Sequence, residues 1–492
     1  MKVKDLICGL EILEVRGDLE KEIKGISYDS RKIKKDELFV ALRGSCLDGH
    51  NFIKDALQKG VAALVVESIP DEDLCVPIIK VKDSRRALSQ LAINFFNPPL
   101  DKINVVGITG TNGKTTTSYL IESILKSAGK KVGVIGTVSY RFCGKELKAN
   151  VTTPESLELM QMIKEMSNTG TNYVVMEVSS HSLSQGRVRD CPFKVAVFTN
   201  ITRDHLDYHG SMREYFDAKK KLFLEYNPAF CVINQDDPFG RLLIDEIKKT
   251  KNNTIITYGI ENGIIRAKDV QIDKNGIKAE ILLPKNKCIT IRSALVGKFN
   301  LYNILASVAV SYCLEIEESS IQEGISKLKT VPGRMELIKD DSSPFVIVDY
   351  AHTPDALFKV LSTVRAVFDK RIITVFGCGG NRDKGKREEM GRIAALYSDF
   401  VVITSDNPRF EDPFSIMKQI ERGVKQIKSS DYVMEVKREE AIKKAIKMAQ
   451  KEDVVLIAGK GHEDYQIIGD KKIPFDDRQV VKQILKETRT IC

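Results

Sequence analysis

No stretch of the sequence approaches the ~18 apolar residues that a membrane-spanning helix needs, and no internal repeat or low-complexity tract interrupts it. A membrane span and a fibrous or disordered chain are thereby excluded as readings. C-x-x-C pairs are also missing: the ten cysteines lie scattered at 8, 46, 75, 143, 191, 231, 288, 313, 378 and 492. That spacing argues against a disulfide framework or a structural zinc site and fits reduced thiols in a cytosol. The opening "MKVKDLICGLEILEVRGD" breaks its apolar residues with charges, so a targeting segment is not expected and a cytoplasmic protein is. Neither sign of charge dominates, with 76 Lys and Arg against 67 Asp and Glu. The net charge of +9 is spread along amphipathic segments with acidic neighbours, which suits anionic ligands such as nucleotides better than a nucleic acid. A monomer is the expected state.

What is present is the composition of an ordinary soluble enzyme, 42% hydrophobic and 29% charged. At roughly 100 to 200 residues per domain, 492 residues suggest three domains. Two proline-containing breaks, "NFFNPPLDK" and "LKTVPGRMEL", divide the chain into residues 1–98, 99–330 and 331–492. In the last third, "FVIVDYAH", "RIITVFGCGG", "DFVVITSDNPR" and "DVVLIAGKGHED" alternate with helical patterns. Continuous apolar runs mark strands buried on both faces, the signature of a parallel sheet covered by helices. Ligands gather at the C-terminal ends of such strands, a rim that would carry Asp349, His352, Arg382, Asp406, Arg409, Gly459, His462 and Glu463.

Between the strand-like "INVVGIT" and the helical "KTTTSYLIESILKSAGK" lies a glycine-rich turn, Gly110, Thr111, Asn112 and Gly113, followed by Lys114, Thr115 and Thr116. Such a turn presents backbone N–H groups and a helix N-terminus to a polyphosphate, with a lysine for charge and a hydroxyl for Mg²⁺. The strict G-x-x-x-x-G-K-T spacing fails, because position 108 is Ile. The guanine-reading N-K-x-D pattern is absent, so ATP is expected over GTP. Glu177 ends the buried run "VVMEV", where a carboxylate suits Mg²⁺ or, equally, an arginine partner. His205 and His209 make an H-x-x-x-H, but with no third ligand at helical spacing a zinc site is not expected. Five of the six histidines fall in or just after strand-end loops. The reading is an α/β protein of three domains: a small α/β N-terminal domain, a central P-loop ATPase-like parallel sheet and a C-terminal Rossmann-like parallel sheet.

Taken together, "GTNGKTTT", "EVSSH", "TNITRDHLDYHG", "YFDAKK", "VPGRME", "DYAHTPD" and "GKGHE" resemble, in order and over nearly the whole chain, the Mur ligases. These are ATP-dependent enzymes that build the peptide stem of peptidoglycan. "SYDSR", "TTP" at 152–154 and "DNPR" resemble the tripeptide-forming members, whose substrates would be UDP-MurNAc-L-Ala-D-Glu, meso-diaminopimelate and ATP. The resemblance implies phosphorylation of a substrate carboxylate by ATP and displacement of the phosphate by an amine. Lys114 would hold phosphates, and Thr115, Glu177, His205 and Lys219 would hold Mg²⁺. Lys219, with Lys220 and Lys221 beside it, is the position implied to carry a CO₂-derived carbamate. Asn300 or Asn303, Arg334, Asp349 and His352 would contact ATP. Ser30 and the loop Ser45–Leu47 would lie on the uridine side, and Thr152, Thr153, Ser179, Gln185 and Arg187 would face the muramoyl dipeptide.

The incoming amino acid distinguishes members of this type. Lysine ends in an ammonium alone, whereas diaminopimelate ends in an ammonium and a carboxylate on one carbon. A pocket for the latter needs a planar cation for the carboxylate and an acid for the ammonium. In the stretch Asp406, Asn407, Pro408, Arg409, the arginine with Asp406 or with Glu463 meets that need, beside Gly459; Arg382 could take the other carboxylate. Alone, Arg409 would more often pair with Glu411 or Asp412 on the surface. The alternatives are the same ligation with L-lysine, a folylpolyglutamate synthase-like ligase, or a non-catalytic nucleotide-binding partner protein.

Overall fold

The computed structural model describes residues 1–44, 47–71, 74–250, 253–338 and 344–489. Ser45 and Cys46 of the loop assigned to the uridine side lie outside them. The chain forms two compact bodies: residues 1–109, 130–196 and 218–229, and residues 110–129, 197–217 and 230–492. Among the described residues no helix is long and apolar enough to cross a membrane.

In the first body, a five-stranded sheet runs in the order Ile12–Arg16, Ile78–Val81, Ala63–Val66, Glu37–Val40, Gly25–Ser27. Only the first pair is antiparallel. The helix Ser84–Phe96 follows because Asp83 accepts hydrogen bonds from the N–H groups of Arg85 and Arg86, both orphans of the first turn. It ends because Asn97 turns left-handed (φ 43°) before two prolines. Further on, the strand Asn104–Thr109 pairs in parallel with Tyr173–Glu177, which in turn pairs with Val132–Ile135. The antiparallel hairpin Ser139–Phe142 and Lys145–Lys148 extends that edge.

The second body holds the helix Lys114–Ser127, whose buried face of Leu120, Ile121, Ile124 and Leu125 packs against the helices Lys298–Cys313 and Glu318–Lys327. Gly324 lets two backbones meet, since a Cβ there would overlap the backbone of Ile124. Strands Phe230–Asn234, Thr254–Gly259 and Ile265–Asp273 pair in parallel, and the antiparallel strands Gly276–Leu283 and Lys287–Ser293 continue the sheet.

The C-terminal sheet runs Glu336–Ile338, Phe345–Asp349, Val454–Ala458, Ile372–Phe376, Phe400–Thr404, Tyr432–Glu435, parallel except for its first pair. Side chains alternate between faces, so each apolar run feeds two cores. Val454, Leu456 and Ala458 face a cluster with Leu357, Leu361, Met390 and Ile420. Val455 and Ile457 face another with Ile442, Ile446 and Val481. The helices Pro354–Val367 and Pro413–Lys425 start the same way: a capping oxygen, on Thr353 or Asp412, and then a proline at the first turn. Caps and prolines therefore fix where each helix leaves the rim of the sheet.

Candidate active site

The turn Gly110–Gly113 has backbone angles that only glycine adopts freely at its two ends, φ 146° at Gly110 and 88° at Gly113. A Cβ on Gly110 would collide with Thr199 Oγ1, and one on Gly113 with Asn303 Oδ1. Lys114 Nζ donates to the carbonyls of Gly110 (2.8 Å) and Thr111 (2.9 Å), so the ammonium sits over the turn it would share with a phosphate. The loop after Phe198 braces the turn: Asn200 Oδ1 accepts from Asn112 N (3.1 Å), and Thr199 Oγ1 donates to Asn112 O (2.7 Å). Thr111 Oγ1 lies 3.1 Å from Tyr215 Oη and accepts from Thr202 N (3.0 Å).

Beside the turn lies a cavity of about 430 Å³, within the size range of small-molecule sites. Of the residues expected to bind ATP, Asn112, Gly113, Thr116, Asn303, Arg334, Asp349 and His352 line it. Arg334 stacks over the Tyr350 ring at 4.7 Å and donates through Nη2 to Thr115 Oγ1 (3.2 Å). Its buried Nε has no hydrogen-bond partner among the described residues. Burial raises the Asp349 pKa against the pull of Arg334 and of the amides of Met335 and Ala351. Burial lowers the His352 pKa, opposed by Asp204 and reinforced by Lys386, so the ring is neutral at pH 7. Asn300 does not line the cavity; it accepts from Asn303 Nδ2 (3.0 Å) and fixes that amide.

In the first body, Glu177 is buried at the end of its strand and accepts from Thr137 N (3.0 Å) and Thr137 Oγ1 (2.8 Å). Thr152 Oγ1 stands 3.1 Å from Thr137 Oγ1, and Thr153 Oγ1 donates to Glu177 O (2.8 Å) while accepting from Ser179 N (3.1 Å). Arg187 donates to Thr153 O (2.9 Å) and Gln185 Oε1 (2.9 Å) and pairs with Glu155 at 3.0 Å. The five residues expected to face the dipeptide thus form one network, while Ser30, expected on the uridine side, stands apart in the turn after the strand Gly25–Ser27, its carbonyl accepting from Lys59 Nζ (2.6 Å). Of the three consecutive lysines only Lys219 is buried, at 1% exposure. The four residues expected to hold Mg²⁺ are divided: Glu177 and Lys219 belong to the first body, Thr115 and His205 to the second. Among the described residues no three or more His, Cys, Asp or Glu side chains are grouped to hold a metal.

At the rim of the C-terminal sheet, Arg409 adopts φ 53° and is pinned by its backbone, N to Ile467 O (3.0 Å) and O from Gly469 N (2.7 Å). Its Nη1 donates to Gly380 O (2.8 Å), and no carboxylate among the described residues lies within ion-pair distance. The expected surface partners are engaged elsewhere: Glu411 pairs with Arg387, and Asp412 caps a helix. Burial, then the nearby Arg382 guanidinium, lowers the Arg409 pKa, with Asp406 and Glu463 pulling the other way. Asp406 is 7% exposed, and no donor among the described residues reaches its carboxylate; a Cβ on Gly459 would stand 2.7 Å from Oδ2. Glu463, by contrast, accepts from Lys460 Nζ (2.9 Å) and Asn407 Nδ2 (3.0 Å). Of the two acids proposed to accept an ammonium, Asp406 is the uncommitted one. Arg382 is exposed and lies 4.0 Å from Asp207. Pro408 completes the loop, with its carbonyl accepting from Glu411 N (3.1 Å).

Sequence reasoning missed part of the cavity wall: Asn234, Asp236, Asp237, Phe299 and Tyr302 also line it. The polar end of "FCVINQDD" was the available signal, because it follows a strand as the other rim loops do. Asp236 accepts from the amides of Ile260 (2.7 Å) and Asn262 (2.9 Å) and from Tyr302 Oη (3.0 Å), which organises that wall.

Fold and site define a P-loop nucleotide-binding α/β protein with a loop carrying Asp406 and Arg409 at its C-terminal sheet. Three family models match consecutive stretches: Mur ligase family, catalytic domain, over residues 22–96; Mur ligase middle domain over 108–311; and Mur ligase, glutamate ligase domain, over 333–461. The chain is 44% identical to the UDP-N-acetylmuramoyl-L-alanyl-D-glutamate–2,6-diaminopimelate ligase of Clostridium perfringens, covering 99% of this chain and 100% of that one. It is equally similar, over the same shares, to the protein of that name from Clostridioides difficile. A solved structure of a ligase of that name superimposes with a TM-score of 0.70 at 30% identity, covering 99% of both chains. The chain belongs to the Mur ligase family.

Proposed function

We propose that the protein is an ATP-dependent amide ligase that adds meso-diaminopimelate to UDP-MurNAc-L-Ala-D-Glu through an acyl phosphate, a step of peptidoglycan precursor synthesis. The observation that carries the choice of amino acid is an arginine fork, Arg409, and a buried carboxylate, Asp406, in one rim loop, neither matched to a protein counter-charge. An ammonium and a carboxylate on one carbon complement that pair, and lysine would leave Arg409 stranded. ATP would lie in the 430 Å³ cavity with its phosphates on the turn Gly110–Gly113 and Lys114. Arg334 reaches from the C-terminal sheet to Thr115, so it can neutralise charge on a transferring phosphoryl group.

Thr115, Glu177 and His205 would hold Mg²⁺, with Lys219 contributing as a carbamate. Bound Mg²⁺ would screen the phosphate charge during transfer. Burial favours the neutral amine of a lysine, the form that adds CO₂, and this supports Lys219 over its half-buried neighbours Lys220 and Lys221. The dipeptide would sit against Thr152, Thr153, Ser179, Gln185 and Arg187. Phosphate release from ATP by the purified protein tests the reading: it is expected only when UDP-MurNAc-L-Ala-D-Glu and diaminopimelate are both present. Release that ignores the amine, or that needs a folate acceptor, would contradict it.

A further inference from the structure

Arg409 stands two residues from Glu411, and both side chains gather around the same short loop. A Cβ on Gly379 would stand 3.0 Å from Arg409 Nη1, and one on Gly380 would stand 3.3 Å from Glu411 Cβ. An internal carboxylate this near is a competitor for any ligand carboxylate that Arg409 is to hold. It is withheld by Arg387, which is fully buried and grips Glu411 through two parallel bonds, Nη1 to Oε2 at 2.9 Å and Nη2 to Oε1 at 3.0 Å. Arg387 is itself fixed by Gly379 O (3.1 Å) and Gln419 Oε1 (3.0 Å). Lys384 adds a second cation 3.8 Å from Glu411, and the amide of Asn381 donates to Oε1 (2.5 Å). Both oxygens of Glu411 are therefore engaged by partners other than Arg409.

We infer that Arg387 is a specificity-positioning residue: by holding the partly exposed Glu411 in a bidentate pair with its own buried guanidinium, it keeps the Arg409 guanidinium open for the substrate carboxylate. A buried pair of this kind contributes little net stability over an apolar replacement, so its use lies in where it holds the charge. The inference rests on the proposed diaminopimelate reading. In the Arg387→Met variant, Glu411 is released toward Arg409, and the KM for diaminopimelate rises about tenfold, the worth of one charge-assisted hydrogen bond. The KM for ATP and kcat at saturating diaminopimelate stay within about twofold, since neither involves Arg409. Adding Glu411→Gln removes the competitor and returns the diaminopimelate KM to near the wild-type value.

A purely structural role would leave the double variant as impaired as the single one, and that result would overturn the inference, as would an unchanged KM in Arg387→Met. Thermal melting checks that the variants fold. Should the Met variant not fold, Arg387→Lys carries the same test, with a smaller rise again relieved by Glu411→Gln. The parent reading fails separately: wild-type enzyme that does not use diaminopimelate, or an Arg409→Lys variant with unchanged kinetics, would remove Arg409 from the pocket whatever Arg387 does.

Discussion

Glu411 carries one of the most strongly shifted carboxylates of the molecule. The Arg387 guanidinium holds its pKa down at about 2, from an ordinary 4.5, with help from the Asn381 amide and Lys384. Because the native value is depressed, the unfolded chain binds more protons in the window between those values. The contribution of Glu411 is therefore complete above about pH 4.5 and fades as the pH falls toward 2. Glu411→Gln should lower stability at neutral pH, by leaving Arg387 buried without its acid, and should flatten the loss below pH 4.5. Urea unfolding at a series of pH values measures both; a variant whose acid limb parallels the wild type would contradict the assignment. Arg409 was singled out from sequence as the proposed partner of the substrate carboxylate because diaminopimelate demands a planar cation. Its alternative, a surface pair with Glu411 or Asp412, was the commoner case for an arginine taken alone, and it is overturned because both acids are engaged elsewhere. The deciding partner, Arg387, stands 24 residues upstream of Glu411, and proximity along the chain cannot reveal a pairing across a rim.

At the scale of elements, the strands and helices that position the site were the easiest to read. Their apolar runs are continuous, and their helix starts carry caps and prolines. Tyr432–Glu435 was not read, because its residues are all half-buried at the edge of the sheet and show neither a continuous run nor a clean alternation. The hairpin strands of residues 265–293 escaped for a related reason: much of their surface is solvated, and charges interrupt the pattern. The glycine-rich turn failed the standard spacing yet makes a tight turn into the helix, since Gly110 and Gly113 supply two positive-φ corners. Gly110→Ala should thus cost about 1–3 kcal/mol of stability from backbone strain and abolish ADP binding. Calorimetric titration with Mg·ADP and thermal melting check this, and ADP affinity within twofold of wild type would contradict it.

For the whole molecule, the residues expected to act divide between the two compact bodies: Glu177, Lys219 and the network of Thr152, Thr153, Ser179, Gln185 and Arg187 belong to one, the turn Gly110–Gly113, the cavity and the loop of Arg409 to the other. The sequence motifs named these residues but could not show which would already be grouped. Side chains that pair within one body, such as Thr153 with Glu177 or Arg334 with Thr115, are bound before any substrate arrives. The central claim is that an unmatched Arg409 and Asp406 choose diaminopimelate over lysine. Initial rates of product formation, with meso-diaminopimelate and L-lysine supplied separately and the product identified by mass spectrometry, test it most directly. The account predicts a UDP-linked tripeptide containing diaminopimelate, with kcat/KM about 10⁴-fold above that for lysine, because lysine leaves the Arg409 guanidinium unpaired. Equal efficiency with the two amino acids would contradict it.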